Sequence, residues 1–310
     1  MSLDAIAVVQ KGDHALCYYD LEGEELARVA LDPYPHEWAV SADRQRAFIS
    51  HFGLALAEDQ GEGGNTVSVV DLPGRRKLGA LSCGGHRRPH GITLDNAGAL
   101  YVLSEADSRL LVSRQPTSGR FDSDQPSGGK GSHIVTVSSD GKTAFISNMR
   151  SNTVTVVFPD DPECPPVELE SGRRPEGSVL DRNEQYLYVA CRESARIMVV
   201  DVMNLQVLEP IRTRPGPVRL CWDHRRRLLA PLYHDRSLAL INPANHRIDH
   251  VPLPANPVSV SFDADSGLAL VSTLGDEVCV IDVESRSLER RIPTRADPDP
   301  AMLLQLPDWN

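Results

Sequence analysis

The sequence predicts an all-β chain: a seven-bladed β-propeller of four-stranded antiparallel blades, its ring closed by pairing N-terminal strands with a C-terminal inner strand. Three observations predict it. One strand–turn–strand layout recurs about every 43 residues, a third and a fourth β-rich run follow each copy, and the two ends of the chain are complementary fragments of a single blade.

The layout is clearest in "PHEWAVSADRQRAFISH" from Pro35, "PHGITLDNAGALYVLSE" from Pro89, "SHIVTVSSDGKTAFISN" from Ser132 and "PEGSVLDRNEQYLYVAC" from Pro175. Weaker copies start at Pro215 and Ala255, and half a copy, "PDPAMLLQLPD", starts at Pro298. The residue after the first position anchors each copy: His36, His90, His133, Glu176, Gly216, Asn256 and Asp299. Their intervals are 54, 43, 43, 40, 40 and 43 residues, and the one long interval holds the Gly- and acid-rich insertion "GLALAEDQGEGG", residues 53–64. An insertion of that composition is expected to be a loop within one blade.

The third runs are "NTVSVVDL" from Asn65, "RLLVSR" from Arg109, "NTVTVVF" from Asn152, "ARIMVVDV" from Ala195, "SLALIN" from Ser237 and "EVCVIDV" from Glu277. None shows the 3.6-residue period of an amphipathic helix. Shorter fourth runs such as "RKLGALS" and "LEPIRT" lead to the next copy, making four strands per repeat. The chain opens with three strands, "AIAVVQ", "ALCYYD" and "EELARVAL", and "AMLLQL" supplies the missing fourth, so residues 1–310 are expected to form one domain.

A net charge of −11, with acids and bases dispersed along the chain, lacks the basic stripe of a nucleic-acid or anionic-membrane binder. A small-molecule partner is expected instead, with no nucleic acid and no membrane. The segment "MSLDAIAVVQKGDH" does not resemble a secretory signal, and the six cysteines (Cys17, Cys83, Cys164, Cys191, Cys221, Cys279) stand singly, so a cytoplasmic protein with reduced thiols is expected. There is no GxSxG, P-loop or HExxH pattern, which argues against serine-triad and nucleotide chemistry.

The stretches "NTVSVVDL", "NTVTVV" and "RRPEGSVLDRNEQYLYVACRESARIMVVDV" resemble the YVTN-type repeats of the lactonase-like seven-bladed propellers, over nearly the whole chain. That resemblance implies the fold. Proteins of this general shape include sugar-lactone hydrolases, a carboxymuconate-cyclising enzyme and metal-dependent lyases, so it does not choose an activity.

In such a fold the first strands line a central channel and the anchors meet at one mouth. His36, His90, His133 and Glu176 then make a candidate site for a divalent metal, since imidazole nitrogens and a carboxylate oxygen suit zinc, iron, manganese or copper. The second strand returns to the same end about fifteen residues later, which brings His51, Glu105, Asn148 and Arg192 beside the anchors as candidate catalytic groups. Arg87, Arg88, Arg173 and Arg174, with Arg214 and Arg295, form a basic collar suited to a small anionic substrate. Two Gly-rich segments, 53–64 and 115–131, are candidate lids over the mouth.

Together these features predict a metal-dependent enzyme acting on a small anionic carbonyl or lactone compound, by hydrolysis, elimination or isomerisation. Two other readings remain open on the residues alone: an iron or copper oxygenase with a three-histidine, one-glutamate centre, and a non-catalytic propeller that binds a ligand or a protein.

Overall fold

The structure, a computed structural model, describes residues 2–307. In chain order the strands are β1 (Ser2–Gln10), β2 (Ala15–Tyr19), β3 (Glu25–Ala30); β4 (Pro35–Val40), β5 (Arg46–His51), β6 (Thr66–Asp71), β7 (Arg76–Ser82); β8 (Pro89–Leu94), β9 (Leu100–Ser104), β10 (Arg109–Ser113), β11 (Ser123–Pro126); and β12 (Ser132–Val137), β13 (Ala144–Asn148), β14 (Thr153–Val157), β15 (Val167–Glu170). They continue as β16 (Pro175–Leu180), β17 (Tyr186–Cys191), β18 (Arg196–Asp201), β19 (Gln206–Arg212); β20 (Cys221–Trp222), β21 (Leu228–Leu232), β22 (Ser237–Asn242), β23 (Arg247–Pro252); β24 (Pro257–Asp263), β25 (Leu268–Thr273), β26 (Glu277–Asp282), β27 (Ser287–Pro293); and β28 (Pro298–Pro307). They form seven four-stranded antiparallel sheets, the blades of a seven-bladed β-propeller, and the one sheet out of chain order is β28-β1-β2-β3.

Burial explains the sequence pattern of each blade. Second and third strands are covered on both faces by neighbouring sheets, so β9, β13 and β14 are buried at every residue and read as unbroken apolar runs. Fourth strands face water and read as polar, as in β7 and β15. Four of the six cysteines, Cys17, Cys83, Cys191 and Cys279, are buried free thiols, and burial pushes Cys83 up to about 12.

The blades group into two compact units: one takes residues up to Arg28 and from Glu176 onward, and the other is Val29–Pro175. In the second unit, Phe48, Val67 and Val69 pack against Ile92, Val102 and Leu111, and Leu103 and Leu110 pack against Val135 and Ile146. In the first unit, Val199 and Ile211 meet Leu228 and Ala239, Leu229 and Leu240 meet Val271 and Cys279, and Val278 and Val280 meet Ile6 and Leu303.

The first strands of the second unit share an irregularity. β4–β5 pairing jumps from Pro35↔His51 to Trp38↔Ile49, β8–β9 from Pro89↔Ser104 to Ile92↔Val102, and β12–β13 from Ser132↔Asn148 to Ile134↔Ser147. Each jump falls at His36, His90 or His133. A bulge locally twists the strand and re-aims its side chains, so all three histidines leave the regular in–out alternation at the same place in their blades.

The segment 115–131 corrects the expectation of a lid. It holds a short 3-10 turn, Pro116–Ser118, and then β11, which pairs with β10 from Arg109↔Pro126 to Val112↔Ser123. Its Gly and Ser content hides a four-residue strand, and it is the outer edge of its blade. No helix among the described residues is long and apolar enough to cross a membrane.

β28 pairs with β1 over Leu3↔Leu306 to Val8↔Ala301, and its Ala301, Leu303 and Leu304 are buried. Burial of each large apolar side chain contributes about 1–3 kcal/mol. Deletion of residues 296–310 is therefore expected to lower the melting temperature of the whole chain by at least about 10 °C, read by calorimetry; a truncated chain that melts with the parent would show that this pairing contributes little.

Candidate functional site

Three bulged first strands lie side by side in the second unit, and their histidines form a row. The rings of His36 and His90 are 4.3 Å apart between centroids, and those of His90 and His133 are 3.9 Å apart. Gly91 makes the spacing of β8 and β12 possible, because a Cβ at that position would lie 2.4 Å from the carbonyl oxygen of His133. The His90 Nδ1–H donates to that carbonyl at 2.8 Å. A carbonyl only accepts, so neutral His90 keeps its proton on Nδ1 and its lone pair on Nε2. Phe52 closes one wall, its ring edge-to-face with both His36 and His90.

Glu105 lies just beyond the end of β9, with its side chain only 2% exposed. Its Oε2 is 3.7 Å from His133 Nδ1 and its Oε1 is 3.6 Å from Arg150 Nη2. Both distances are too long for hydrogen bonds, and both carboxylate oxygens are buried with no hydrogen-bond partner. Burial is the main cause that pushes this carboxyl up to about 7, against the opposing charges of Arg150 and Arg88. A buried acid left without hydrogen-bond partners carries a desolvation cost that a cation or proton relieves.

Two donor sets result. In His90, Glu105 and His133, one ligand-capable atom from each lies within 4.8 Å of the others, and the same holds for His36, Glu37 and His90. His90 belongs to both. Imidazole nitrogens with a carboxylate oxygen make a donor set of the zinc, iron, manganese and copper type, and a His90 tautomer fixed by its own hydrogen bond is the arrangement such sites use.

Glu176 is not in either set. It belongs to the first unit, where Arg192 Nη1 lies 3.1 Å from Oε1 and Arg219 Nη1 lies 3.8 Å from Oε2. A carboxylate held by two guanidinium groups has its charge already matched. Arg192, expected among the catalytic groups, is this partner, and its guanidinium sits 3.9 Å over the ring of Tyr233.

His51 and Asn148 are where the repeat spacing puts them, opposite Pro35 and Ser132, but their polar atoms serve the fold. His51 is buried; its Nδ1–H donates to Asp32 O at 2.9 Å, and its Nε2 accepts from Ser68 Oγ at 2.7 Å. Asn148 Oδ1 accepts from Ser132 Oγ at 3.0 Å, and its Nδ2 donates to Ile146 O and Thr155 Oγ1. Neither has a nitrogen or oxygen left for proton transfer. Glu37, Arg150 and Arg219 were not anticipated; Glu37 adjoins an anchor, and Arg150 follows the second strand of its blade as Arg192 does.

Of the arginines expected to ring the mouth, Arg87, Arg88 and Arg174 contact the 53–64 segment, whereas Arg214 pairs with Asp235 and Arg295 with Glu25. Arg88 donates to Ala57 O at 3.2 Å, Asp59 O at 3.0 Å and Gly61 O at 2.9 Å, and Arg150 donates to Ala57 O at 3.3 Å. Arg174 lies 3.7 Å from Glu58 and Arg87 lies 3.4 Å from Glu62. Arg173 is exposed. Arg88 and Arg150 thus bind the insertion while also acting electrostatically on Glu105.

Among solved structures the chain is similar to a periplasmic gluconolactonase of Pseudomonas aeruginosa, at 16% identity and a TM-score of 0.77, over 98% of this chain and 100% of that one. A protein from Lactobacillus plantarum matches at 17% identity and a TM-score of 0.75, again over 98% and 100%. A Kuenenia stuttgartiensis hydrazine synthase chain matches at 15% identity and a TM-score of 0.68, over 84% of this chain and 86% of that one. At these identities the likeness is one of fold, and it agrees with the resemblance to lactonase-like propellers. No family model and no curated protein sequence matches the chain.

Two outcomes test the site's structural partners. Burial, opposed by the Asp32 charge, lowers His51 to about 4. The stability it contributes is complete above its unfolded value near 6.5 and is lost as pH falls toward 4, by about 3 kcal/mol. Urea unfolding should therefore show a steeper loss between pH 7 and pH 4 for the parent than for His51→Gln, and equal slopes would exclude His51 as the cause. Arg88→Ala removes three hydrogen bonds to the insertion, so a Glu-specific protease should cut after Glu58 or Glu62 at least about tenfold faster than in the parent; unchanged cleavage would mean that other contacts hold the segment.

Proposed function

We propose that this chain is a metal-dependent enzyme of hydrolase or lyase type that acts on a small anionic carbonyl compound or lactone, with His90, His133 and Glu105 as the metal ligands. Glu105 carries the reading: a buried carboxyl group with two unbonded oxygens, 3.7 Å from one histidine and inside a donor set with a second. Glu176, by contrast, accepts a hydrogen bond from Arg192 at 3.1 Å.

The bound ion would supply Lewis acidity toward a carbonyl oxygen and an acidified water. The chain's own residues do the rest. His90 presents Nε2 because Nδ1–H is fixed on His133 O, and Gly91 holds that geometry. Glu105 supplies the negative charge that a divalent cation requires, and Phe52 keeps one side of the histidine row apolar. Arg88 and Arg150 act electrostatically on Glu105 and would take a substrate carboxylate once the insertion releases them. His36 and Glu37 give the second donor set, a neighbouring position for a further ion or for substrate oxygens. The lactonase named among the structural neighbours makes ring-opening of a sugar lactone the first reaction to assay.

The test starts with the protein purified without chelators. Stoichiometric zinc, manganese, iron or copper is expected by elemental analysis, or one equivalent taken up on calorimetric titration. Glu105→Gln keeps the size of the side chain and removes its charge, and should weaken metal affinity by at least about a hundredfold, with activity lost in step. A parent that holds no metal and takes up none sinks the metal reading. Bound iron or copper with oxygen consumption would move the chemistry to an oxygenase.

A further inference from the structure

In the first unit, a cavity of about 640 Å³ opens between the blade β16–β19 and the blade β20–β23. It opens at the turn ends of both blades, beside the paired residue Trp222 of β20. β20 has two residues and pairs only through Cys221↔Leu229 and Trp222↔Leu228, whereas β4, β8, β12 and β16 have six each. The gap is walled by Tyr188 and Trp222, edge-to-face with ring centroids 5.3 Å apart. The Trp222 indole N–H donates to Leu180 O at 2.7 Å, which fixes that ring, and Val199, Leu208 and Ile211 supply an apolar floor.

The rim is cationic. Arg182, in the turn after β16, and Arg226, in the turn after β20, are exposed, and their guanidinium groups make no hydrogen bond or ion pair among the described residues. Arg225 beside them is held by Glu284. The adjoining Asp181 is already engaged: its Oδ1 accepts the backbone N–H of Gln185 at 2.7 Å and of Tyr186 at 2.9 Å. Glu209 is the other acid on the lining and sits exposed on β19.

We propose that this cavity is a second ligand site, separate from the histidine row, for a planar aromatic compound bearing an anionic group. The volume falls in the range of small-molecule pockets, about 300–1,000 Å³. A flat ring pairs with the Tyr188–Trp222 wall by offset or edge-to-face contact, and a carboxylate receives the forked donors of Arg182 and Arg226. Both arginines are on turns and leave the blade cores untouched when replaced.

Calorimetric titration with 2-naphthoate is the test. One saturable site is expected, with affinity lowered at least about tenfold in Arg182→Ala/Arg226→Ala and for the neutral 2-naphthamide on the parent. His90→Ala should bind 2-naphthoate as the parent does, which separates this site from the anion-binding chemistry proposed for the histidine row. No saturable binding at millimolar concentration, equal affinity in the double variant, equal affinity for the amide, or loss of binding in His90→Ala would each overturn the proposal.

Discussion

A four-stranded sheet whose two middle strands are apolar on both faces has no stable existence in water by itself; it needs a neighbour on each side. Everything else in this chain follows from meeting that need repeatedly. Blade packs on blade through alternating side chains, as Phe48 and Val67 pack on Val102 and Leu111, and the spacing between neighbouring sheets then dictates how near their first strands come. Where those strands nearly touch, only glycine fits, as at Gly91, and at Gly177, where a Cβ would lie 2.6 Å from Val218 O. The histidine row is a by-product of that closeness: three bulged strands in adjacent blades cannot avoid stacking the residues they carry.

The two clusters of polar residues at the strand heads solve burial in different ways. Glu176 is neutralised by Arg192 and Arg219, so it is satisfied within the protein. Glu105 has Arg150 near one oxygen and His133 near the other, neither at bonding distance, and so holds its cost unresolved. An unresolved buried acid of this kind marks a candidate ligand position, which the more conspicuous Arg–Glu pairs do not.

The blades were legible because packing repeats: the same neighbour-to-neighbour geometry demands the same apolar spacing in "RAFISH", "LYVLS" and "AFISN", and the in-register His36, His90 and His133 followed from it. The pairing of the end strands was legible for the same reason. What period and composition do not encode is direction. That His51 and Asn148 turn their polar atoms into the fold depends on Asp32, Ser68 and Ser132 standing at bonding distance, and that Glu176 is claimed depends on Arg219, which sits at no repeat-equivalent anchor. The bulges left no sequence signature apart from the residues they re-aim. In 115–131 the flanking glycines and serines masked "SDQP", a strand too short to show alternation.

The sheet that joins β1 to β28 also has a kinetic side. Its two partners, β1 and β28, are far apart in sequence, with Val8 paired to Ala301. A ribosome emitting about 5–20 residues per second needs on the order of 15–60 s between making one partner and the other. For that interval β1, with Ile6 and Val8 that are destined for full burial, is an unpaired edge next to an apolar face. β28 is thus the slowest contact to form and the one that ends exposure of β1, so nascent chains stay open to chaperones and to each other until β28 has been made.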